Sequence, residues 1–201
     1  MTAEDETIPI EPSTDLAAIE LPARVGDELA AVYGADAVRT ADDWLAALDA
    51  AVESADGESL GAADLCTTDD SPHVLETDDG RQAYQCAFDP IAVPFLTGQP
   101  ATIRTRCVTT GATIRFSVAD GTVRASPETA VFSVGVAPDV DATPPFTPAE
   151  TYGIVCPYGN VYEDREGYRA WAARTDAATA ALPLEYGVAI VGGLVERLAA
   201  E

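Results

Sequence analysis

Residues Ala101–Ala125 read ATIRTRCVTTGATIRFSVADGTVRA, and the alternation within them decides the fold class. Ile114, Phe116 and Val118 recur with period two, which places them on one side of an extended chain. Thr110-Gly111 and Asp120-Gly121 punctuate the stretch, leaving three extended runs: Ala101–Val108, Ala112–Val118 and Thr122–Ala125. Strands joined by such short turns pair antiparallel. Ala130–Val136 adds a further apolar strand, and Ala137–Pro148, with four prolines, reads as a long loop.

Upstream, Val74 and Leu75 lead through Asp78-Asp79-Gly80 into Arg81–Cys86, a hairpin pattern. Asp89-Pro90 then signals a helix start, with Asp89 as cap and Pro90 in the first turn. Nearer the N-terminus, Leu21, Val25, Leu29, Val32 and Tyr33 recur at helical spacing until Gly34. Thr40 reads as the N-cap of a second helix, with Asp42 and Asp43 in its first turn and Trp44, Leu45, Leu48 and Val52 on one face. Downstream, Tyr152–Cys156 reads as a strand entering the turn Pro157-Tyr158-Gly159-Asn160. Arg165–Arg174 reads as a helix carrying Tyr168 and Trp171, and Leu184–Leu198 as a closing amphipathic helix. This order of elements predicts an α+β fold with a mostly antiparallel sheet flanked by helices. The expected organisation is an acidic flexible tail (1–20), a winged-helix-like helical module (21–72) and a core (73–201).

Charge narrows the function classes. Among 201 residues there are 34 acids against 11 basic residues, all of them Arg, for a formal net charge of −23. A surface of that sign repels polyphosphate and anionic lipid. Abundant Asp with no Lys at all fits a cytoplasm of molar salt, where the Debye length falls to about 3 Å and self-repulsion is tolerable. Met1–Asp15 has five acids and no apolar run, unlike a secretory leader, and Gly187–Val195 is too short to span a bilayer. A cytoplasmic location is expected, with Cys66, Cys86, Cys107 and Cys156 as thiols.

One histidine, His73, makes a multi-histidine metal site improbable, and it reads as an ordinary polar residue. Without Lys the P-loop motif cannot exist. The cysteines are 20, 21 and 49 residues apart, with no Cys-x-x-Cys, so any pair must form in space. Cys86 stands out because Ala87-Phe88-Asp89-Pro90 follows it. A thiol at that helix start gains from the dipole and free amides, and Asp89, three residues on, can take its proton and return it.

The stretch Tyr84-Gln85-Cys86-Ala87-Phe88-Asp89, continuing through Pro94-Phe95-Leu96-Thr97-Gly98 to Cys107 and Thr110-Gly111, resembles the core of the alkylmercury (organomercurial) lyases. A second match runs from Tyr152 to Trp171, through Cys156, the aromatic strand Val161-Tyr162 and the helix bearing Trp171. Together the likeness covers roughly Val74–Leu198. It implies that Cys86 and Cys156 grip mercury as thiolates while Asp89 passes a proton to the departing carbon. It also implies no organic cofactor, an organomercurial substrate, and external thiols or a mercuric reductase as acceptor of Hg(II). Phe88, Ile91, Val93 and Phe95 could give the acid apolar surroundings. Cys107 matches a cysteine regarded as structural in these proteins, and Cys66 reads as incidental. The chain departs from some relatives in having Pro157 where they carry another Cys, and Tyr158-Gly159-Asn160-Val161-Tyr162 where others have a His-rich aromatic segment.

Two other classes stand beside this one. A non-catalytic soft-metal binding or sensing protein would keep the thiol pair for Hg(II) or Cu(I) without cleaving carbon bonds. A DNA-binding N-terminal module would need a basic face, yet only Arg24, Arg39 and Arg81 precede Cys86.

Overall fold

A computed structural model describes residues 14–53, 61–77, 80–119, 122–140, 146, 150 and 153–198. Most of the expected acidic tail, the turn residues Asp78, Asp79, Asp120 and Gly121, and most of the proline-rich loop lie outside them. The alternating stretch forms strands β4 (Ala101–Arg106), β5 (Thr113–Ala119) and β6 (Thr122–Ser126). They join β1 (Thr67–Thr68), β2 (His73–Thr77) and β3 (Gly80–Tyr84) in a six-stranded antiparallel sheet of order β1-β3-β2-β4-β5-β6. The expected hairpin is present, with Thr77 opposite Gly80. A second antiparallel sheet, β8-β7-β9, is built from β7 (Val131–Val136), β8 (Val161–Tyr162) and β9 (Ala178–Pro183). The fold is α+β, as the sequence predicts.

Period two becomes burial directly. Ile103, Ile114, Phe116 and Val118 are each at most 1% exposed, on strands packed against helix α3 (Phe88–Thr97), while helix α5 (Leu184–Leu198) packs against neighbouring β6. Removing a side chain such as Phe116 would cost about 3–5 kcal/mol in cores of this kind. On the opposite face Glu76 collects three guanidinium groups, from Arg81 at 3.4 Å, Arg104 at 3.3 Å and Arg115 at 2.9 Å.

Helix α1 (Ala23–Tyr33) ends at Gly34 in the left-handed region, φ 69°, a conformation a residue without Cβ adopts freely. Helix α2 (Ala41–Glu53) opens with the expected cap made reciprocal. The Asp43 N–H donates to Thr40 Oγ1 at 3.2 Å, and the Thr40 N–H donates to Asp43 Oδ2 at 3.0 Å. Both helices pack into the same apolar core as the sheets, α1 on β7 and β9 and α2 on α5. The bare backbone of Gly193 on α5 receives Leu16 and Leu45, and that of Gly192 receives Phe95. No helix among the described residues is long and apolar enough to cross a membrane.

Two elements differ from expectation around the residues of interest. Tyr152–Cys156 is not a strand: Gly153 and Ile154 are helical and Cys156–Tyr158 is a 3-10 turn, while Tyr152 lies outside the described residues. Pro157 explains this, because its fixed φ and missing N–H suit the first turn of a helix and not a ladder. Asp89 does not cap α3. The helix begins one residue earlier, at Phe88 with Ala87 as N-cap, and the Asp89 carboxylate in the first turn is engaged elsewhere. Strand β9 has no counterpart in the sequence reading. Its Ala178-Thr179-Ala180-Ala181 has little strand propensity and becomes a strand by pairing along the whole of β7.

Candidate active site

The segment between β3 and α3 carries Cys86 and Asp89 and is pinned from two directions. The Ala87 N–H donates to the Gly159 carbonyl at 3.0 Å, which ties it to the turn bearing Cys156. The Gln85 N–H donates to the Cys66 carbonyl at 2.9 Å, and the Cys66 N–H donates to Asp89 Oδ2 at 2.9 Å. Cys86 is 3% exposed, whereas Cys66 and Cys156 are half-buried.

The turn from Cys156 to Asn160 is seated by close contacts. Gly159 lies directly under the Phe88 ring, where a Cβ would overlap Cδ2 and Cε2. Phe88 in turn meets Phe132 of β7 edge-on, with centroids 5.2 Å apart. Gly135 of β7 leaves room for Tyr158, since a Cβ there would come within 2.7 Å of the Tyr158 Cβ. The Ser133 hydroxyl donates to the Tyr158 carbonyl at 2.6 Å, and Asn160 Nδ2 donates to the Pro157 carbonyl at 3.0 Å. Tyr158 also leans on Trp171 of α4 (Arg165–Ala172), with centroids 6.4 Å apart, and Trp171 packs at a tilt against Tyr162 and Tyr168.

These supports bring the three expected residues together. The Cys86 and Cys156 thiols lie beside one another, and their interaction, reinforced by burial and by the nearby Asp89 and Cys66, drives the Cys156 pKa far above the ordinary thiol range. The Cys156 thiol therefore keeps its proton at neutral pH. Burial also raises the Asp89 pKa, opposed only in part by the N–H from Cys66, so its carboxyl keeps a proton at higher pH than an ordinary aspartate. Two thiols sharing a contact beside a buried acid form a chelating pair with a proton source at hand.

Three residues read as unremarkable in the sequence take part in this neighbourhood. Cys66 lies within electrostatic reach of Asp89 and Cys86, and burial is the largest cause of its own raised pKa. His73 is buried; its Nδ1 shares a hydrogen bond with Thr105 Oγ1 at 2.8 Å, and its imidazole lies near Asn160, just beyond the Cys156 turn. Desolvation lowers its pKa to about 4, so it is neutral. Tyr33, on α1, is buried within electrostatic reach of Cys156, which brings an N-terminal helix to the site. No sequence motif marks any of the three, because each is positioned by distant segments.

Other expected residues are placed elsewhere. Cys107 is 1% exposed and packs beneath Gly167 of α4. Burial would raise its thiol, but the Thr110 side chain and the backbone N–H groups of Glu163, Thr110 and Thr109 outweigh that and lower it. Phe95 belongs to the contact between α3 and α5, while Phe88 and Ile91 are buried near the start of α3. Among the described residues no group of three or more His, Cys, Asp or Glu is assembled to hold a metal ion.

Comparison with known proteins bears on the same region. The alkylmercury lyase (MerB) family model matches residues 66–196, more than half of the chain. An alkylmercury lyase of Streptomyces lividans is 38% identical over 79 residues, covering 38% of this chain and 36% of that protein. One of Pseudomonas putida is 44% identical over 54 residues, covering 26% of this chain and 25% of that protein. The matched segments thus span about a third and a quarter of these relatives' own lengths. The crystal structure of the mercury-bound form of MerB2 superposes with a TM-score of 0.51 at 17% identity, covering 65% of this chain and 60% of that one, a likeness of fold. With the family model matched from Cys66, just before β1, into the closing helix, the chain belongs to the alkylmercury lyase family.

Proposed function

We propose that this protein is an organomercurial lyase, cleaving the carbon–mercury bond of R–Hg–X by protonolysis with Cys86, Cys156 and Asp89. The observation that carries this reading is the convergence of Cys156 and Cys86 beside the buried Asp89, on two segments tied together by the 3.0 Å bond from Ala87 N–H to the Gly159 carbonyl. Mercury is thiophilic, and two thiolates suit it better than oxygen or nitrogen donors. With a thiolate as X, the balance is R–Hg–SR′ plus two cysteine thiols giving R–H, R′SH and Hg(II) held by two cysteine sulfurs. One thiol displaces R′S⁻, which leaves as R′SH with that thiol's proton. The second thiol gives its proton to Asp89 as its sulfur joins the metal, and Asp89 delivers the proton to the departing carbon. No organic cofactor enters this balance. Family membership and the mercury-bound relative support mercury as the metal. Hg(II) then leaves by exchange with external thiols or with the dithiol of a mercuric reductase, in a salt-rich cytoplasm that keeps thiols reduced.

The test is release of benzene from phenylmercury by the purified protein in molar salt with excess thiol. Cys86→Ala, Cys156→Ala and Asp89→Ala should each abolish it. Release at the unsubstituted rate by Asp89→Ala overturns the proton-donor role. Stoichiometric Hg(II) binding with no hydrocarbon released selects the alternative, a soft-metal binding protein on the same scaffold.

A further inference from the structure

We propose that Cys66 is a third functional thiol, the relay through which Hg(II) leaves the Cys86–Cys156 pair for external thiols. The inference rests on the lyase reading for its physiological meaning. It also departs from the sequence, in which Cys66 is an isolated thiol 20 residues before Cys86.

Three independent observations place it there. The backbone of Cys66 is fixed on both sides to the segment that carries the pair: its carbonyl accepts from Gln85, the neighbour of Cys86, and its N–H donates to Asp89. Its sulfur is close enough to Cys86 and Asp89 to feel the charge of each, and it contributes in turn to the electrostatics of Cys156. It is half-buried, as Cys156 is, whereas Cys86 is 3% exposed, so it offers incoming thiols a second approach to the metal besides Cys156.

The chemistry that needs such a group is product release. A metal chelated by two sulfurs, one of them buried, is slow to surrender to a bulky external thiol, because exchange requires attack by an incoming sulfur. Among the described residues the site is not assembled as a three-donor cage, so Cys66 acts in sequence and not as a standing third ligand. In the relay step the Cys66 sulfur bonds to mercury as the bond to Cys156 breaks, and the Cys66 proton moves to the leaving Cys156 sulfur. Mercury is two-coordinate before and after the step, carries the third sulfur only as the bonds exchange, and stays Hg(II), so no oxidant or reductant is required. An external thiol then displaces Cys66, and a second displaces Cys86. An internal thiol on a short tether acts at an effective concentration of about millimolar, so the relay outpaces direct external attack wherever external thiol is scarcer than that.

The experiment uses the full chain loaded with one equivalent of mercuric chloride, chased with glutathione, with transfer followed by the ultraviolet absorbance of mercury–thiolate bonds. Cys66→Ser and Cys66→Ala are compared with the unsubstituted protein. Both keep the backbone N–H that Asp89 accepts, so an effect common to them tracks the sulfur and not the positioning of the acid. Transfer should slow by about tenfold at about 0.1 mM glutathione in both variants, with a steeper dependence on glutathione concentration. Transfer at the unsubstituted rate in either variant overturns the relay. Because inorganic mercury is loaded directly, this outcome is independent of hydrocarbon release. Failure of the unsubstituted protein to release benzene sinks the lyase reading and leaves the transfer result standing.

Discussion

Gly159→Ala adds a single methyl group, and its effect follows from the seat of the Cys156 turn. The new Cβ would overlap Cδ2 and Cε2 of Phe88 and lie 3.2 Å from Cζ. Restoring an ordinary carbon–carbon contact of about 3.5–4.0 Å requires a separation of roughly 1.5 Å between the turn and the ring. Phe88 cannot supply it, being wedged against Phe132 at 5.2 Å between centroids. The turn must lift instead, which stretches the 3.0 Å bond from Ala87 N–H to the Gly159 carbonyl and carries Cys156 away from Cys86. Overpacking of this kind costs about 1–3 kcal/mol of stability. A misplacement of about 1 Å at the reacting groups lowers rate by about a hundredfold. The assay is single-turnover benzene release from phenylmercury, with thermal unfolding measured on the same samples. Phe88→Leu in the Gly159→Ala background should recover part of the lost rate, giving a favourable coupling in the double-mutant cycle. Cleavage by Gly159→Ala at the unsubstituted rate, with the fold intact, would refute the claim that this seat aligns the sulfurs.

His73 and Asp89 make opposite predictions for stability against pH. The His73 pKa falls from its ordinary value near 6.5 to about 4 on folding, so the folded state disfavours its charge. Its contribution is intact above about pH 6.5 and is lost as pH falls toward 4, a loss of about 3 kcal/mol. Urea midpoints between pH 7 and 4 should show this slope and His73→Gln should flatten it; an unchanged slope refutes the assignment. The Asp89 pKa is raised, so its contribution is present at low pH and is lost as pH rises through the folded-state value. Asp89→Asn should therefore unfold at a higher temperature than the unsubstituted protein near pH 8, with the gap closing toward pH 4. A lower melting temperature at pH 8 counts against a buried, reluctant carboxylate.

Strands β4, β5 and β6 were legible because a half-buried antiparallel strand writes its burial into alternate residues, as at Ile114, Phe116 and Val118. The α1 stop at Gly34 and the Thr40–Asp43 cap were legible for a similar reason, since local chemistry suffices to make them. Where long-range contacts decide, local signals fail. Cys156 sits on a helical turn because Pro157 follows it, overriding the β-branched Val155 and Ile154 before it. The Asp89 carboxylate is claimed by the N–H of a residue 23 positions earlier in place of its own helix. Cys66 lies next to a two-residue strand too short to carry any periodicity. Its nearness to the thiol pair exists only after β1 docks on β3.

The sulfurs of Cys86 and Cys156 belong to parts of the chain supported by different sheets, so an ion held by both would staple them together. Such a clasp closes a loop of about 70 residues and, by the reasoning used for disulfides, would add about 4 kcal/mol to the stability of the loaded form. The tightest and most heat-resistant state of the molecule is then the one still burdened with its cargo. Unloading must undo a crosslink as well as a metal–sulfur bond.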